Sequence, residues 1–375
     1  MYLWQAPGWP ALTWDANALT APLAQARLSQ GRALAFAGSL GLADLEQLQL
    51  AGWTQEALAT AHIEGEQLQL NSVRASAARR LGLADTSALS RDPRAEATLD
   101  VLQAAISRWD HALTEDDLFG WHAALFPTGR SGVTRIAAGR WRAHEEAMQI
   151  VTPGIGKPDV VHYEAPPSAQ VPAQMGALIE WFNTHSRVPQ IDGLARAAVV
   201  HLWFEAIHPF EEGNGRIGRA LAELALAQDM RSNRRIFSLS AQLAADRAGY
   251  YAQLQAATGK PRLDMTPWMQ WFVGRIQAAF DAAACHMQKS LTLNSYWAEV
   301  NARHPGLSAS QRKALTRLLE AEPEGFAGGM STEKYVNLTG ASRATAYREL
   351  THLTEIGLLA RSGQGRGTRY TLTGS

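Results

Sequence analysis

Apolar residues recur at helical spacing through most of the chain. Leu23, Ala26 and Leu28, then Leu40, Leu42, Leu45 and Leu48, keep a period near 3.6, so residues 1–90 read as mostly helical behind a Trp- and Pro-rich start (Trp4, Trp9, Pro10, Trp14). The same period predicts helices over Val101–Leu113, Val171–Thr184, Gly193–Ile207, Asn214–Gln228 and Met265–Phe280, with a loop from Thr86-Ser87-Ala88 to Pro93. Met148 to Pro167 breaks the pattern. There Gln149–Thr152 and Val160–Tyr163 form two short extended runs around Pro153-Gly154-Ile155-Gly156, which predicts a β-hairpin inside a helical domain.

The expected fold class is therefore mainly α. The expected domains are a helical N-terminal region over 1–94, a core over 95–288, and a linker helix with a small C-terminal domain over 289–375. The length of 375 residues leaves room for these. With 46% hydrophobic and 19% charged residues, the composition is that of a folded protein and excludes disorder as the rule. Charge is balanced at 35 Lys+Arg against 35 Asp+Glu, which excludes a globally basic nucleic-acid coat while leaving room for a local patch. The one cysteine, Cys285, excludes an internal disulfide or a cysteine-based zinc site and favours a reducing, cytoplasmic location. The start, Met1 to Pro7, has no leader-like charge or apolar run, and the most apolar stretch, Ala195–Phe210, is broken by Arg196, His201, Glu205 and His208; no membrane association is expected.

The densest chemistry lies in His208-Pro209-Phe210-Glu211-Glu212-Gly213-Asn214-Gly215-Arg216-Ile217-Gly218-Arg219. An apolar helix should stop at His208, because Pro209 disfavours helical geometry in the residue before it. Gly213-Asn214-Gly215 then opens another helix, whose free backbone N–H groups and positive dipole end suit an anion. Arg216 and Arg219, three apart, share a helical face beside that end and would hold further phosphate oxygens. Glu212 could hold Mg²⁺ together with phosphate oxygens, and His208 could take a proton from an incoming hydroxyl. Together these parts describe nucleotidyl or phosphoryl transfer from a Mg²⁺-nucleotide.

The stretch resembles the signature of the Fic family, His-x-Phe-x-Asp/Glu-Gly-Asn-Gly-Arg-x-x-Arg, at every specified position. That resemblance implies protein AMPylation: AMP passes from ATP to a Ser, Thr or Tyr hydroxyl of a target protein, or of the protein itself, and pyrophosphate leaves. It implies His208 as general base, Phe210 packing the loop, Glu212 as Mg²⁺ ligand, and Gly213, Asn214 and Gly215 lining the phosphate hole. Arg216 and Arg219 become the β/γ-phosphate contacts, and the hairpin, with Ile150 and Val151, the flap that aligns a target segment. Tyr250 and Tyr251 resemble paired aromatics near the adenine and would equally serve as helix core. Thr60-Ala61-His62-Ile63-Glu64-Gly65 resembles the family's inhibitory motif, Ser/Thr-x-x-x-Glu-Gly/Asn, in which Glu64 would reach Arg219 and occupy the partner of the γ-phosphate. Residues 1–90 resemble a domain of unknown function often found ahead of such cores, and family members often form homodimers.

The block from 305 to 375 has the order of a winged helix-turn-helix. Gln311–Glu320 is a first helix, and Ser331 caps a second. Leu338-Thr339-Gly340 turns into a third over Ser342–Leu353 carrying Arg343, Thr345 and Arg348, and Gly357–Arg361, Gly363–Gly367 and Arg369–Leu372 make strand, wing and strand. Arg361, Arg366 and Arg369 could meet phosphates, although nine Lys/Arg against six Asp/Glu from Pro305 onward is a mild excess. Two other readings of the whole chain stay open: another nucleotidyl or phosphate transfer, including removal of AMP, at the same site; and a DNA-binding regulator whose core senses nucleotide.

Overall fold

The computed structural model describes residues 1–83, 91–152, 160–187, 191–321 and 328–373. The expected turn at Pro153–Gly156, the residues Thr86–Ala88 and the side chain of Arg366 lie outside that set. The fold is mainly α, with short antiparallel strand pairs. Two compact units are present, Met1–Cys285 and His286–Ser375. Among the described residues no helix is long and apolar enough to cross a membrane.

The first unit begins with α1 (Ala16–Ser39), α2 (Leu42–Ile63), α3 (Leu70–Arg80), α4 (Pro93–Ser107) and α5 (Glu115–Leu125). The helix expected over Val101–Leu113 is in fact the end of α4, followed by a break and then α5. Asp92, accepting from Arg94 N, with Pro93 at the first helical position, sets the start of α4. A reciprocal cap between Thr114 and Asp117 starts α5.

Two minimal strands, β1 (Arg130–Ser131) and β2 (Thr134–Arg135), precede the hairpin of β3 (Gln149–Thr152) and β4 (Val160–Glu164). Its register pairs Ile150 with Tyr163, shifts, then pairs Val151 with Val161. Tyr163 ties the hairpin to the core by donating its hydroxyl to Ala206 O at 2.5 Å. Ile150, Val151, Val160 and Val161 stay exposed, an unusual load of apolar surface for so short a ribbon.

The centre is a pair of helices, α7 (Gly193–Ile207) and α8 (Asn214–Met230), which follow α6 (Val171–Arg187). α7 is buried along its whole length beyond Gly193, Arg196, His201 and Glu205 included, as expected of a helix enclosed by others. Asp192 caps its start through Leu194 N. At its end His208 turns left-handed, with φ 51°, because Pro209 excludes the helical conformation there. The helices α9 (Leu239–Ala245) and α10 (Arg247–Thr258) follow, and α11 (Thr266–Arg303) runs well past the Phe280 at which it was expected to end.

α2 packs against α3, α4, α8 and α9. One contact of that packing is polar and fully buried. Glu56 of α2 accepts from the Ser238 hydroxyl at 2.6 Å, from Ser240 N at 3.1 Å and from the Ser240 hydroxyl, while Arg235 bridges towards it and towards Glu223 of α8 at 3.1 Å.

The second unit contains α12 (Ala309–Leu319), α13 (Thr332–Thr339), α14 (Arg343–Glu355), β5 (Leu359–Ser362) and β6 (Arg369–Leu372). Ser308, Ser331 and Ser342 cap its three helices, and Gly340, at φ 73°, makes the turn between α13 and α14. Leu315, Leu318, Tyr335, Leu350, Leu353 and Tyr370 form its core.

Replacing Glu56 with Ala leaves the two serine hydroxyls and the Arg235 charge short of a partner in a site closed to water. We expect a loss of about 3 kcal/mol in unfolding free energy, read from urea denaturation; a change within error would mean that water or relaxation replaces the carboxylate.

Candidate active site

The loop from His208 to Gly213 is held from three sides. Phe210 is fully buried and stacks on His122, with ring centroids 4.1 Å apart. Asn214 closes the loop reciprocally: its Oδ1 accepts from Phe210 N at 2.9 Å and its Nδ2 donates to Phe210 O at 2.8 Å. Arg142 donates Nε to His208 O at 2.8 Å and Nη2 to Pro166 O, fastening the end of α7 to the exit of the hairpin. His122 accepts from Gly139 N through Nδ1, which leaves Nε2 as the donor to Glu212 O at 3.1 Å. The loop is thus built to keep one conformation.

These contacts hold His208 close to the positive end of α8. Its side chain is 14% exposed, and burial, then the charge of Arg142, lowers its pKa from 6.5 to about 4. At neutral pH the ring is therefore uncharged and able to accept a proton. Glu205 lies one turn back with Oε2 3.9 Å from His208 Nδ1, too far for a hydrogen bond, and burial pushes its carboxyl up to about 8.

α8 begins at Gly213, which adopts φ 80° and supplies no side-chain cap, so the first N–H groups of the helix are not covered by a capping side chain. What stands over them is Glu64. A side chain on Gly215 would collide with the Glu64 carboxylate, which places that carboxylate against the first turn. Glu64 Oε1 accepts from Arg219 Nη2 at 2.6 Å, and Arg219, 1% exposed, also donates Nε to the Thr60 hydroxyl at 2.8 Å and Nη2 to Thr60 O at 3.2 Å. Thr60 and Glu64, four apart, share the face of α2 turned to Arg219. Burial alone would raise the Glu64 carboxyl; Arg219, followed by Arg216, holds it below its ordinary value. The second arginine is engaged as well: Arg216 Nη1 lies 3.1 Å from Glu66 Oε1, and its guanidinium sits over the Phe126 ring.

A cleft of about 620 Å³ opens beside this arrangement, lined by Ile150 and Val151 of β3, by Glu205, and by Arg247, Tyr251 and Gln255 of α10. The two adjacent tyrosines of α10 part company here. Tyr250 is 1% exposed in the core with its hydroxyl 2.8 Å from His201 Nε2, whereas Tyr251 is 41% exposed and faces the cleft. Tyr251 also donates its hydroxyl to Ile63 O at 3.0 Å, beside Arg247 Nε at 2.8 Å, so both cap the last turn of α2.

Of the two acids in the loop, Glu211 is committed, accepting from Ala137 N at 3.0 Å. Glu212 is exposed and its carboxylate makes no ion pair among the described residues. One free carboxylate beside an uncapped helix start fits a Mg²⁺ that would take its remaining ligands from a nucleotide and water; no cluster of three or more His, Cys, Asp or Glu side chains able to hold a metal occurs among the described residues.

The structure thus brings His208, Glu212, Gly213, Gly215, Arg216, Arg219 and Glu64 to one helix end, with Ile150, Val151 and Tyr251 on the adjoining cleft. It turns Asn214 inward as the clasp of the loop and Tyr250 into the core. Sequence reasoning missed Glu66, His122 and Arg142. Only Glu66 carried a signal, as a second acid just past Gly65.

Residues 112–226 match the Fic/DOC family, so the chain carries a Fic/DOC domain, and residues 2–83 match a domain of unknown function, DUF4172. Among curated proteins, the protein adenylyltransferase fic-1 of Caenorhabditis briggsae is 25% identical over 213 residues, 57% of this chain and 36% of that protein. A probable protein adenylyltransferase of Aquifex aeolicus (strain VF5) is 34% identical over 83 residues, 21% of this chain and 25% of that protein. The chain therefore spans well under half the length of either relative. In fold it is similar to a Fic family protein from Desulfovibrio desulfuricans G20 (TM-score 0.55, 20% identity, covering 97% of this chain and 98% of that one). It is also similar in fold to Fic-1 from C. elegans (TM-score 0.50, 22% identity, 73% and 74%).

The histidine environment has a measurable consequence. Between its ordinary 6.5 and about 4, the folded chain leaves His208 neutral while the unfolded chain protonates it. The ring's contribution to stability is thus full above 6.5 and is lost as pH falls towards 4. NMR titration of the histidine rings should show His208 protonating near 4; an ordinary value would mean that water reaches the ring freely.

Proposed function

We propose that the chain is a protein adenylyltransferase, moving AMP from ATP to a Ser, Thr or Tyr hydroxyl of a target protein or of itself, and that Glu64 holds the site off. In this reading residues 1–94 regulate, 95–288 catalyse and 289–375 form a linker helix and winged helix-turn-helix. The observation that carries the proposal is the His208 turn beside an uncapped helix end whose two arginines are both engaged by carboxylates. Such an end, with a general base next to it, suits a polyphosphate.

The triphosphate replaces the carboxylates on Arg216 and Arg219, and the α-phosphate then faces His208. The target hydroxyl oxygen forms a bond to the α-phosphorus, the bond from that phosphorus to the bridging oxygen breaks, and pyrophosphate leaves in line. His208 takes the hydroxyl proton. Glu212 would hold the Mg²⁺, which when bound draws negative charge off the phosphate oxygens. Tyr251 faces the base, and the exposed apolar edge of β3, with Ile150 and Val151, pairs with an extended target segment. A reducing cytoplasm suits the single, exposed Cys285, and the family resemblance adds a homodimer.

Incubation with labelled ATP tests this. Covalent AMP should appear on the protein, rise about tenfold or more in Glu64→Gly, and fall by about 10²–10⁴ in His208→Ala. Undiminished labelling of His208→Ala removes the histidine as base. Label transferred as phosphate, or loss of AMP from a pre-labelled target, would assign the site to the other phosphate chemistry.

A second reading concerns the C-terminal unit. Arg343, Arg348 and Arg361 are exposed and form no ion pair among the described residues, and Tyr347 is 52% exposed between the first two on α14. Unpaired cations around the start of a recognition-type helix suit the phosphates of duplex DNA. A salt-dependent mobility shift that disappears in the Arg343→Ala/Arg348→Ala double variant supports DNA binding; no shift at low salt excludes it.

A further inference from the structure

The end of α2 carries two carboxylates, and the backbone explains why both reach the same place. Gly65 is left-handed, at φ 80°, its N–H donates to His62 O at 3.0 Å, and the next N–H, of Glu66, donates to Ala61 O at 2.9 Å. This pair of bonds is the Schellman cap, which reverses the chain immediately past the helix. Glu64 on the last turn and Glu66 just beyond it are thereby presented together to α8. Arg216 and Arg219 wait there one turn apart.

The two ion pairs differ in quality. Arg219 donates three hydrogen bonds through Nε and Nη2, two to Thr60 and one to Glu64. Arg216 is held by less: Glu66 meets Nη1 alone, and Arg216 Nε is buried without a partner. A guanidinium offers a fork of donors, and here one tine is empty. A phosphate oxygen could fill it where the single carboxylate contact does not, so Arg216 is held by Glu66 only until a better acceptor arrives.

We propose that Glu66 is a second determinant of nucleotide binding, occupying Arg216 as Glu64 occupies Arg219, so that the end of α2 stands in for two successive phosphates. The inference rests on the assignment of this helix end to a nucleotide in the preceding section. It has a consequence that simple blockage lacks. The number of phosphates on a ligand decides which carboxylate it must displace. AMP, which reaches neither arginine, is indifferent to both. ADP, whose terminal phosphate belongs on Arg216, competes with Glu66. ATP competes with both.

Titration calorimetry of AMP, ADP and ATP, each with Mg²⁺, on the full chain and its Glu66→Gln and Glu64→Gln variants tests this ladder. Glu66→Gln should tighten ADP and ATP about tenfold and leave AMP unchanged, because it removes a competing charge from a charge-assisted contact. Glu64→Gln should tighten ATP by at least as much and ADP by less. The amide is close in size to the carboxylate, and Glu66→Ala with a thermal unfolding curve for each variant guards against a misfolded result. The inference is overturned if ADP and ATP bind Glu66→Gln as they bind the parent. It is overturned equally if AMP gains as much as ADP, since that reports a general loosening of α2. No binding of any of the three nucleotides to the parent or to any variant, Glu64→Gln included, would instead strike at the nucleotide assignment itself. A normal response to Glu64→Gln with none to Glu66→Gln would strike at the inference alone.

Discussion

A guanidinium buried as deeply as that of Arg219 must keep an anionic partner. Removing one member of a buried pair leaves the other charge uncompensated, at about 3–5 kcal/mol. Here the partner is Glu64, on another part of the chain, at 2.6 Å. The arrangement therefore has two favourable states, one with the carboxylate on Arg219 and one with an incoming anion there, and no favourable state with neither. In the proposed reading, exchange of Glu64 for a phosphate links the position of the end of α2 to the occupancy of the start of α8. Binding and release are one equilibrium, and each biases the other by the same factor.

The rest of the site keeps that exchange local. His208 is fixed by devices that do not involve α2: Pro209 forces its left-handed turn, Asn214 and Phe210 close the loop, and Arg142 and His122 hold the carbonyls of residues 208 and 212. Burial that serves the loop's rigidity also keeps the imidazole neutral. One structural cause thus yields both a positioned and an uncharged imidazole, with the Glu64 charge only partly offsetting the effect of burial.

Much of this could be read from residues close together in the chain. α7 has the expected limits, Gly193–Ile207, because its start and stop are written locally in Asp192 and Pro209. Gly213 likewise marks where α8 begins. Capping signals were also present at Asp92-Pro93 and Thr114–Asp117, but the apolar period carried the expected helix across the break between α4 and α5. α11 passed its expected end because the linker helix expected from 289 is continuous with it, no Gly or Pro interrupting residues 281–303. Contacts made across the fold had no such trace. His122 and Arg142 are single residues of common type, tens of positions from the loop they hold. Which of Tyr250 and Tyr251 faces the cleft follows from how α10 is rotated against α7, a tertiary fact. Asn214 could have lined the anion site or clasped the loop, and only the geometry of Phe210 decides for the clasp.

How far α2 must move for the exchange follows from where its anchors lie. Eight residues before Glu64, Glu56 is fully buried and takes donors from Ser238, Ser240 and the Arg235 bridge. Drawing that carboxylate out would expose several polar groups at once, each at about 1–3 kcal/mol. Glu64 and Glu66, by contrast, have side chains 28% and 29% exposed, so water already competes for them. The last turn is also held by burial of Ala61 and Ile63, by Arg219 at Thr60, and at Ile63 O, where Tyr251 and Arg247 donate. Both of those residues line the cleft, so whatever enters it meets the groups that cap α2. The helix body and its last turn are pinned by burial, and the Glu64 and Glu66 side chains beyond them are held by ion pairs. In the proposed reading, release confined to the side chains of Glu64 and Glu66 costs less than one that draws out Ile63, which is fully buried.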